Sequence, residues 1–186
     1  MPTPITSAKI LIVSDNGFEQ SELEVPRDSL REKGATVHVA TPDGKAVRGW
    51  QGKDWGDTAE ADLSISQAEV GQYDALVLPG GQMNPDLLRV NPEAIAIIQA
   101  FSAAGKPIAA VCHAPWLLIE AGLAKGLRAT SYGSIKTDMI NAGVHWVDQS
   151  AVQDRGIITS RNPDDLDDFV DAIVLAVESG VTVEAA

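Results

Sequence analysis

Cysteine and positive charge are both scarce in this sequence. It has one cysteine, Cys112, among 186 residues, and 14 Lys and Arg stand against 26 Asp and Glu, which gives a formal net charge of −12. A single thiol forms no internal disulfide, so we expect a reducing compartment, the cytoplasm. An acidic chain also lacks the clustered cations that bind phosphates or anionic lipids, so neither nucleic acid nor a membrane is expected as a partner.

Three further patterns are missing. No apolar run is long enough to span a bilayer, and the N-terminus lacks the basic start and apolar stretch of a signal peptide. The three histidines show no zinc-site spacing with one another or with the cysteine, and no Walker phosphate loop is present. We therefore expect neither a metal nor any other cofactor.

The residues that are present predict an α/β protein. Apolar residues make up 45% of the chain and charged residues 22%, a balance typical of a soluble globular protein. Short apolar runs alternate with longer helical patterns, which indicates βαβ units on a mainly parallel sheet in a single domain over residues 1–186. Strands are predicted at 8–14, 36–41, 74–81 and 106–111, helices at 21–34, 92–104, 115–122 and 163–178, and a hairpin at 42–58.

Cys112 lies where the fourth predicted strand gives way to a helix. In open α/β sheets ligands bind at the carboxyl ends of the strands, where the segments DNGFEQ, PGGQMNPD and VCHAP are expected to meet. A strand-to-helix turn there has the geometry of a nucleophile elbow, and the N–H groups and dipole of the following helix favour a thiolate. Pro115 suits the first turn of that helix. The alternative is that Cys112 is an unreactive core residue, as most free cysteines are.

Five segments carry a resemblance to a known family. They are NGFEQSE, ALVLPGG, PIAAVCHAPWLLIEAG, TSYGSIKTDMINAGVHWVD and TSRNPDDL, in this order. Together they resemble the ThiJ/PfpI superfamily, and within it the PfpI-like intracellular protease/deglycase group, over residues 8–178. The resemblance implies a flavodoxin-like three-layer sandwich with a nucleophilic cysteine at the elbow. It also implies a homo-oligomer, a dimer or larger, with the active site close to a subunit interface.

The resemblance assigns catalytic roles to three residues. Cys112 is the implied nucleophile and His113 the implied general acid or base. Glu19 matches the family's acid, which would hold a proton, donate it to the thiolate and so lower the pKa of the thiol. Alternatively, Glu19 is a first-turn acid that stabilises a helix start, a role that Glu22 or Glu24 could fill instead.

Other positions receive supporting roles. The N–H groups of Gly81 and His113 would form an oxyanion hole, although Gly81 also suits a plain turn. Asp86 matches the acid that protease-type members donate to the neighbouring subunit, but it is shorter and follows an extra residue, and it could instead cap a helix. Tyr132 would line the pocket, and Ala114 would narrow its mouth.

Two tryptophans fall in the polar hairpin segment. Because large aromatic residues outside a core often mark interfaces, Trp50 and Trp55 are interpreted as subunit contacts.

The preferred functional prediction is a stress-protective enzyme whose Cys112 thiolate attacks reactive carbonyls or glycated adducts, a deglycase-like or glyoxalase-like activity. One alternative is an intracellular cysteine peptidase that takes a peptide substrate. The other is a redox sensor without turnover, in which Cys112 is oxidised.

Overall fold

The fold is built on parallel strands, as a computed structural model that describes residues 2–183 shows. The predicted domain boundaries at 1 and 186 lie outside these residues. The strands are β1 (Lys9–Val13), β2 (Phe18–Glu19), β3 (Thr36–Thr41), β4 (Val47–Gln51), β5 (Asp54–Ala59), β6 (Leu63–Ser64), β7 (Ala75–Leu78), β8 (Ile108–Val111), β9 (Arg128–Ala129), β10 (His145–Trp146), β11 (Ala151–Asp154) and β12 (Ile157–Ser160).

Helices connect most of these strands. They are α1 (Gln20–Glu32), α2 (Met83–Leu88), α3 (Pro92–Ala103), α4 (Pro115–Glu120), α5 (Lys136–Asn141) and α6 (Leu166–Ser179), with 3-10 turns at Ile5–Ser7, Ile65–Gln67, Val70–Gln72, Gly133–Ile135 and Pro163–Asp165. No helix between residues 2 and 183 is both long enough and apolar enough to cross a membrane.

The main sheet has the spatial order β11-β12-β8-β7-β1-β3-β6 within the described residues. Its neighbouring strands run parallel except β11 and β12, which form an antiparallel hairpin. Successive side chains of a strand point to opposite faces, so Leu11 and Val13 join one apolar cluster, whereas Ile10 and Ile12 join the other. Helices α3 and α4 cover the first face, and α1 and α6 cover the second. The predicted α/β sandwich with a mainly parallel sheet is confirmed.

A second sheet lies at the edge of the site. Strands β4 and β5 form the predicted hairpin, and β2 pairs in parallel with β4. This pairing sets Glu19 beside Trp50. The sequence analysis did not predict β2, because a two-residue strand is defined by its partner rather than by its own pattern.

Three loops meet at the carboxyl ends of the central strands. The amide of Asn84 at the start of α2 donates to the Pro79 carbonyl at 2.8 Å and accepts from the Asp15 N–H at 2.7 Å. Asn84 is fully buried, and it ties the loop after β7 to the loop after β1. The N–H of Cys112 donates to the Ser160 carbonyl at 3.0 Å, which fixes the exit of β8 beside β12. The segments predicted to meet do so.

Candidate active site

Cys112 stands in a strained turn between β8 and α4. Its φ is +64°, in the left-handed region that costs a non-glycine residue roughly 1–2 kcal/mol. Its backbone is held on both sides, because its N–H is bonded to Ser160 and its carbonyl accepts from the Tyr132 N–H at 2.8 Å. The thiol is 5% exposed. The structure therefore has the predicted elbow at the predicted residue.

The carboxyl beside the sulfur belongs to Glu22 and not to Glu19. Glu22 is fully buried, its Oε2 accepts the Gly81 N–H at 3.2 Å, and its carboxyl lies close enough to the Cys112 thiol for each group to shift the pKa of the other. Helix α1 starts at Gln20, which puts Glu22 in its first turn, turned toward the elbow. Glu19 ends β2, and its half-buried side chain lines the outer part of the same cavity. The placement of Glu19 beside the sulfur was wrong, and Glu22 occupies that position.

Glu22 and Cys112 ionise as a pair. Burial raises the pKa of Glu22 to about 8, so this carboxyl is mostly protonated at pH 7. Burial raises the pKa of the Cys112 thiol, and an ionised Glu22 raises it further, while the N–H groups of Gly81 and His113 oppose the shift. Two such groups in contact hold at most one negative charge between them near neutral pH. The expected lowering of the thiol pKa is therefore wrong, because burial and Glu22 both raise it. A thiolate forms only while Glu22 keeps its proton.

This pairing predicts a pH-dependent stability. The pKa of Glu22 rises from 4.5, the ordinary value, to about 8 in the folded state, so between these values the folded chain binds more protons than the unfolded chain. The free energy of unfolding should therefore fall as pH rises from 4.5 to 8, by at most about 1.4 kcal/mol per pH unit from this group. Urea unfolding at several pH values measures it. Glu22→Gln should lack this component, and identical pH profiles for both proteins would contradict the assignment.

The imidazole of His113 reaches the sulfur directly. Its Nδ1 lies 3.1 Å from Cys112 Sγ, and its Nε2 lies 3.1 Å from the Ser134 hydroxyl. The ring stacks on Tyr132 with centroids 4.8 Å apart, and Trp116 meets it edge-on at 5.4 Å. Burial lowers the pKa of His113, so the ring is neutral at pH 7. Because a hydroxyl both donates and accepts, Ser134 supports either neutral tautomer, and Nδ1 can give or take a proton.

The loop after β7 brings backbone N–H groups to the same point. The N–H groups of Gly81 and His113 lie near enough to the sulfur to oppose the rise in the thiol pKa, and Gly81 donates to Glu22. Gly81 has φ +78°, and a Cβ there would lie 2.5 Å from the Glu19 nitrogen and the Gly17 oxygen, so only glycine fits. The proposed oxyanion hole stays a prediction, but its two donors converge on the nucleophile.

Gly80 leaves room for the contact between Glu22 and Cys112. A Cβ at Gly80 would lie 2.6 Å from Cys112 Cβ and against Glu22 Oε2. We expect Gly80→Ala to separate the carboxyl from the sulfur, to lower the activity of the site at least about tenfold, and to cost roughly 1–3 kcal/mol of stability. Cys112 alkylation rates and urea unfolding measure both effects. An alkylation rate equal to that of the wild type would contradict the geometry.

The cavity above the sulfur has a volume of about 490 Å³. Tyr132 lines it as predicted, and Trp50 forms part of its wall while meeting Trp55 edge-on at 5.6 Å. The lining residues are Glu19, Glu22, Trp50, Gly52, Gly81, Gln82, Cys112, His113, Tyr132, Ser134 and Pro163. Within residues 2–183 no group of three His, Cys, Asp or Glu side chains could hold a metal ion.

Two predicted roles need correction. The methyl group of Ala114 packs into the core and does not narrow the cavity mouth. Asp86 is exposed in the first turn of α2, whose N-cap is Gln82, so Asp86 is not a capping residue. Asp86 does not line the cavity of its own subunit. Its role across a subunit interface stays a prediction, as does the dimeric or larger assembly.

Comparison with known proteins agrees with this geometry. The DJ-1/PfpI family model matches residues 8–176. The chain belongs to the DJ-1/PfpI family. It is 41% identical over 158 residues to deglycase PfpI of Pyrococcus furiosus, covering 85% of this chain and 92% of that protein. It is 37% identical over 165 residues to protein/nucleic acid deglycase 2 of Escherichia coli, covering 88% of this chain and 94% of that protein.

A solved structure shares the fold. The crystal structure of DJ-1beta from Drosophila melanogaster matches with a TM-score of 0.84 at 30% identity, covering 92% of this chain and 91% of that one. The DJ-1/PfpI fold is flavodoxin-like, as predicted, with the elbow cysteine at the carboxyl ends of the parallel strands.

Sequence reasoning missed two residues of this DJ-1/PfpI site. Ser134 carried no signal, because a serine in a polar turn is ordinary and its contact with His113 spans 21 positions. Asn84 likewise acts through contacts with distant loops. Glu22 was considered only as an acid at a helix start, although a signal existed: it shares the buried side of α1 with Leu23, Pro26 and Leu30. A carboxyl on the buried side of an amphipathic helix requires a partner.

Proposed function

We propose that this protein is a deglycase that uses the Cys112 thiolate to remove reactive carbonyl adducts, such as those of methylglyoxal, from amines or thiols. The observation that carries the proposal is the placement of the sulfur. It contacts His113 Nδ1 at 3.1 Å and a buried, proton-holding Glu22, at the base of an open cavity. The deglycase names of the two relatives support the reaction class.

The reaction needs no external oxidant. The thiolate forms a bond to the carbinol carbon of the adduct while the bond from that carbon to nitrogen or sulfur breaks, and the carrier leaves with a proton. His113 then takes the proton of this carbon, and a proton returns to the neighbouring carbonyl carbon through an enediol. The result is a thioester of a 2-hydroxy acid. Water adds to it, the carbon–sulfur bond breaks, and the acid leaves with the thiolate restored.

His113 is suited to the proton shift. Its lowered pKa leaves the ring neutral and able to accept a proton at pH 7. The carbon attached to Sγ must lie next to Nδ1, because Sγ and Nδ1 are 3.1 Å apart. Ser134 accommodates the change of tautomer during the shift, since its hydroxyl can reverse its hydrogen bond with Nε2.

The contact between His113 and Ser134 favours carbonyl chemistry over peptide cleavage. Peptide cleavage requires an imidazolium that protonates a poor amine leaving group, and a carboxylate beside the ring stabilises that cation. Here the second ring nitrogen meets a hydroxyl, and burial lowers the pKa of the imidazole. The carrier of a carbinol adduct leaves more easily than a peptide amine, and its departure does not require an imidazolium.

Product analysis tests the proposal. Purified protein is incubated with methylglyoxal adducts of N-acetylcysteamine, and the 2-hydroxy acid is quantified while free methylglyoxal is held constant and the adduct concentration is varied. We expect the rate to follow the adduct. A rate that follows free methylglyoxal alone would indicate a glyoxalase, and cleavage of a fluorescent peptide without acid formation would indicate a peptidase; either result would overturn the deglycase assignment.

A further inference from the structure

We propose that Glu19 and the aromatic cavity wall select substrates whose carrier group is positively charged, such as an ammonium or guanidinium group near the carbonyl adduct. This inference rests on the proposed function for its substrate, but it concerns a property of the cavity that is measurable without turnover. It assigns Glu19 a binding role in place of the contact with sulfur.

The Glu19 carboxyl is free to meet a ligand. It lies at the end of β2, half-buried, on the wall of the cavity that leads to Cys112. Within residues 2–183 no hydrogen bond or ion pair reaches its side chain, although acidic side chains elsewhere on the surface pair with Arg or Lys. A carboxylate in this position is therefore a candidate partner for a cation on the substrate.

The other walls favour the same sign of charge. Among the cavity-lining residues none is Lys or Arg, and Glu22, which is mostly protonated at pH 7, adds no full charge to that of Glu19. The sheet register sets Trp50 beside Glu19, and Tyr132 lies on the wall that carries His113. Aromatic faces attract cations, so a carboxylate next to an indole is a common arrangement for binding ammonium and guanidinium groups.

Carriers with a negative charge are expected to bind less well in this cavity. A carboxylate or phosphate near the nucleophile would meet no Lys or Arg in the cavity lining, but only neutral donors such as the side chains of Gln82 and Tyr132. The net charge of −12 adds a long-range field that repels anions and draws cations toward the cavity. Local and global electrostatics thus select the same substrate class.

The single cysteine makes a direct test possible. Two methanethiosulfonate reagents of similar size, one with a trimethylammonium group and one with a sulfonate group, modify thiols with opposite charges. In this chain each can react only with Cys112. The ratio of the two rates, divided by the same ratio for 2-mercaptoethanol at 150 mM salt, reports the charge preference of the cavity. That salt screens charges more than about 8 Å apart in solvent.

We expect a normalised ratio of about ten or more in favour of the cationic reagent, from one nearby carboxylate acting on reagents of opposite sign. Glu19→Gln should lower it several-fold, and Glu19→Lys should bring it to or below one. Glu32→Gln removes the same charge from an exposed position at the end of α1 and should keep the wild-type ratio. Circular dichroism confirms that each variant is folded.

A wild-type ratio equal to that of 2-mercaptoethanol would overturn the inference, as would equal changes in Glu19→Gln and Glu32→Gln. The outcome is separate from that of the proposed function. A charge preference in a protein that releases no 2-hydroxy acid would refute the deglycase and keep the cation site. Adduct hydrolysis without a charge preference would keep the deglycase and refute the cation site.

Discussion

Cys112→Ala is expected to lower the turnover of a methylglyoxal adduct by at least about a thousandfold, because the reaction loses its nucleophile and no other thiol exists in the chain. The remaining rate should match that of the adduct in buffer. The change removes one sulfur atom from a site that is 5% exposed and leaves the backbone hydrogen bonds of residue 112 intact. The variant should therefore fold, and 2-hydroxy acid formation measures the loss.

Cys112→Ser is the matched control for this experiment. It keeps the shape of the side chain and its position beside Glu22, but a hydroxyl is a far weaker acid than a thiol and stays protonated. We expect a loss similar to that of Cys112→Ala, with little change in thermal unfolding. Appreciable adduct hydrolysis by either folded variant would mean that the reaction does not pass through a thioester on Cys112.

Glu22→Gln is expected to lower turnover by about a hundredfold, the second largest effect. The carboxylic acid of Glu22 holds the proton that allows negative charge to form on the sulfur, and an amide cannot supply that proton. Loss of a hydrogen bond to a charged group costs about 1.5–3 kcal/mol. Loss of the general acid adds a similar or larger amount to the activation free energy of the steps that need its proton. Steady-state kinetics with an uncharged adduct measures the effect.

Glu19→Gln distinguishes the two acids of the cavity. With the same uncharged adduct we expect a loss of less than about fivefold, because Glu19 acts on Glu22 only through space, by raising its pKa. Glu32→Gln, at the exposed end of α1, controls for the change in net charge. If Glu19→Gln lost as much activity as Glu22→Gln, the family's acid would be Glu19, as the sequence analysis preferred, and the position of Glu22 would be structural.

Much of the fold could be predicted from local sequence patterns. Strand β3 and helix α3 carry strong periodicity and fall at the predicted positions, and Asn91 caps α3 by accepting from Glu93 and Ala94 N–H groups. The elbow was predictable because an apolar run ends at a cysteine and a proline starts the next helix. Strand β2 was not predictable, since it exists through pairing with β4.

Most residues of the site could be predicted from the sequence, but several of the contacts between them could not. The segment FEQSE offers two candidate acids three positions apart, and the choice depends on where the helix begins. With α1 starting at Gln20, Glu22 turns inward, and Glu19 remains on β2 beside Trp50. The start of the helix decides which acid turns toward the sulfur, and element ends are the least certain part of a sequence-based prediction. The contact between Ser134 and His113 depends on tertiary packing alone.

The proton shared by Glu22 and Cys112 is the central claim, and alkylation of Cys112 against pH tests it most directly. Iodoacetamide reacts with the thiolate, and mass spectrometry follows the single cysteine. In the wild type we expect the alkylation rate to rise in two steps, the first near about 8, where the pair loses its first proton, and the second at higher pH, because burial and an ionised Glu22 raise the pKa of the thiol.

In Glu22→Gln the first step should be absent, because the thiol is the one group of the pair that can still ionise, and a single midpoint should remain. Glu19→Gln should keep both steps. A profile that is the same in the wild type and in Glu22→Gln would contradict the account.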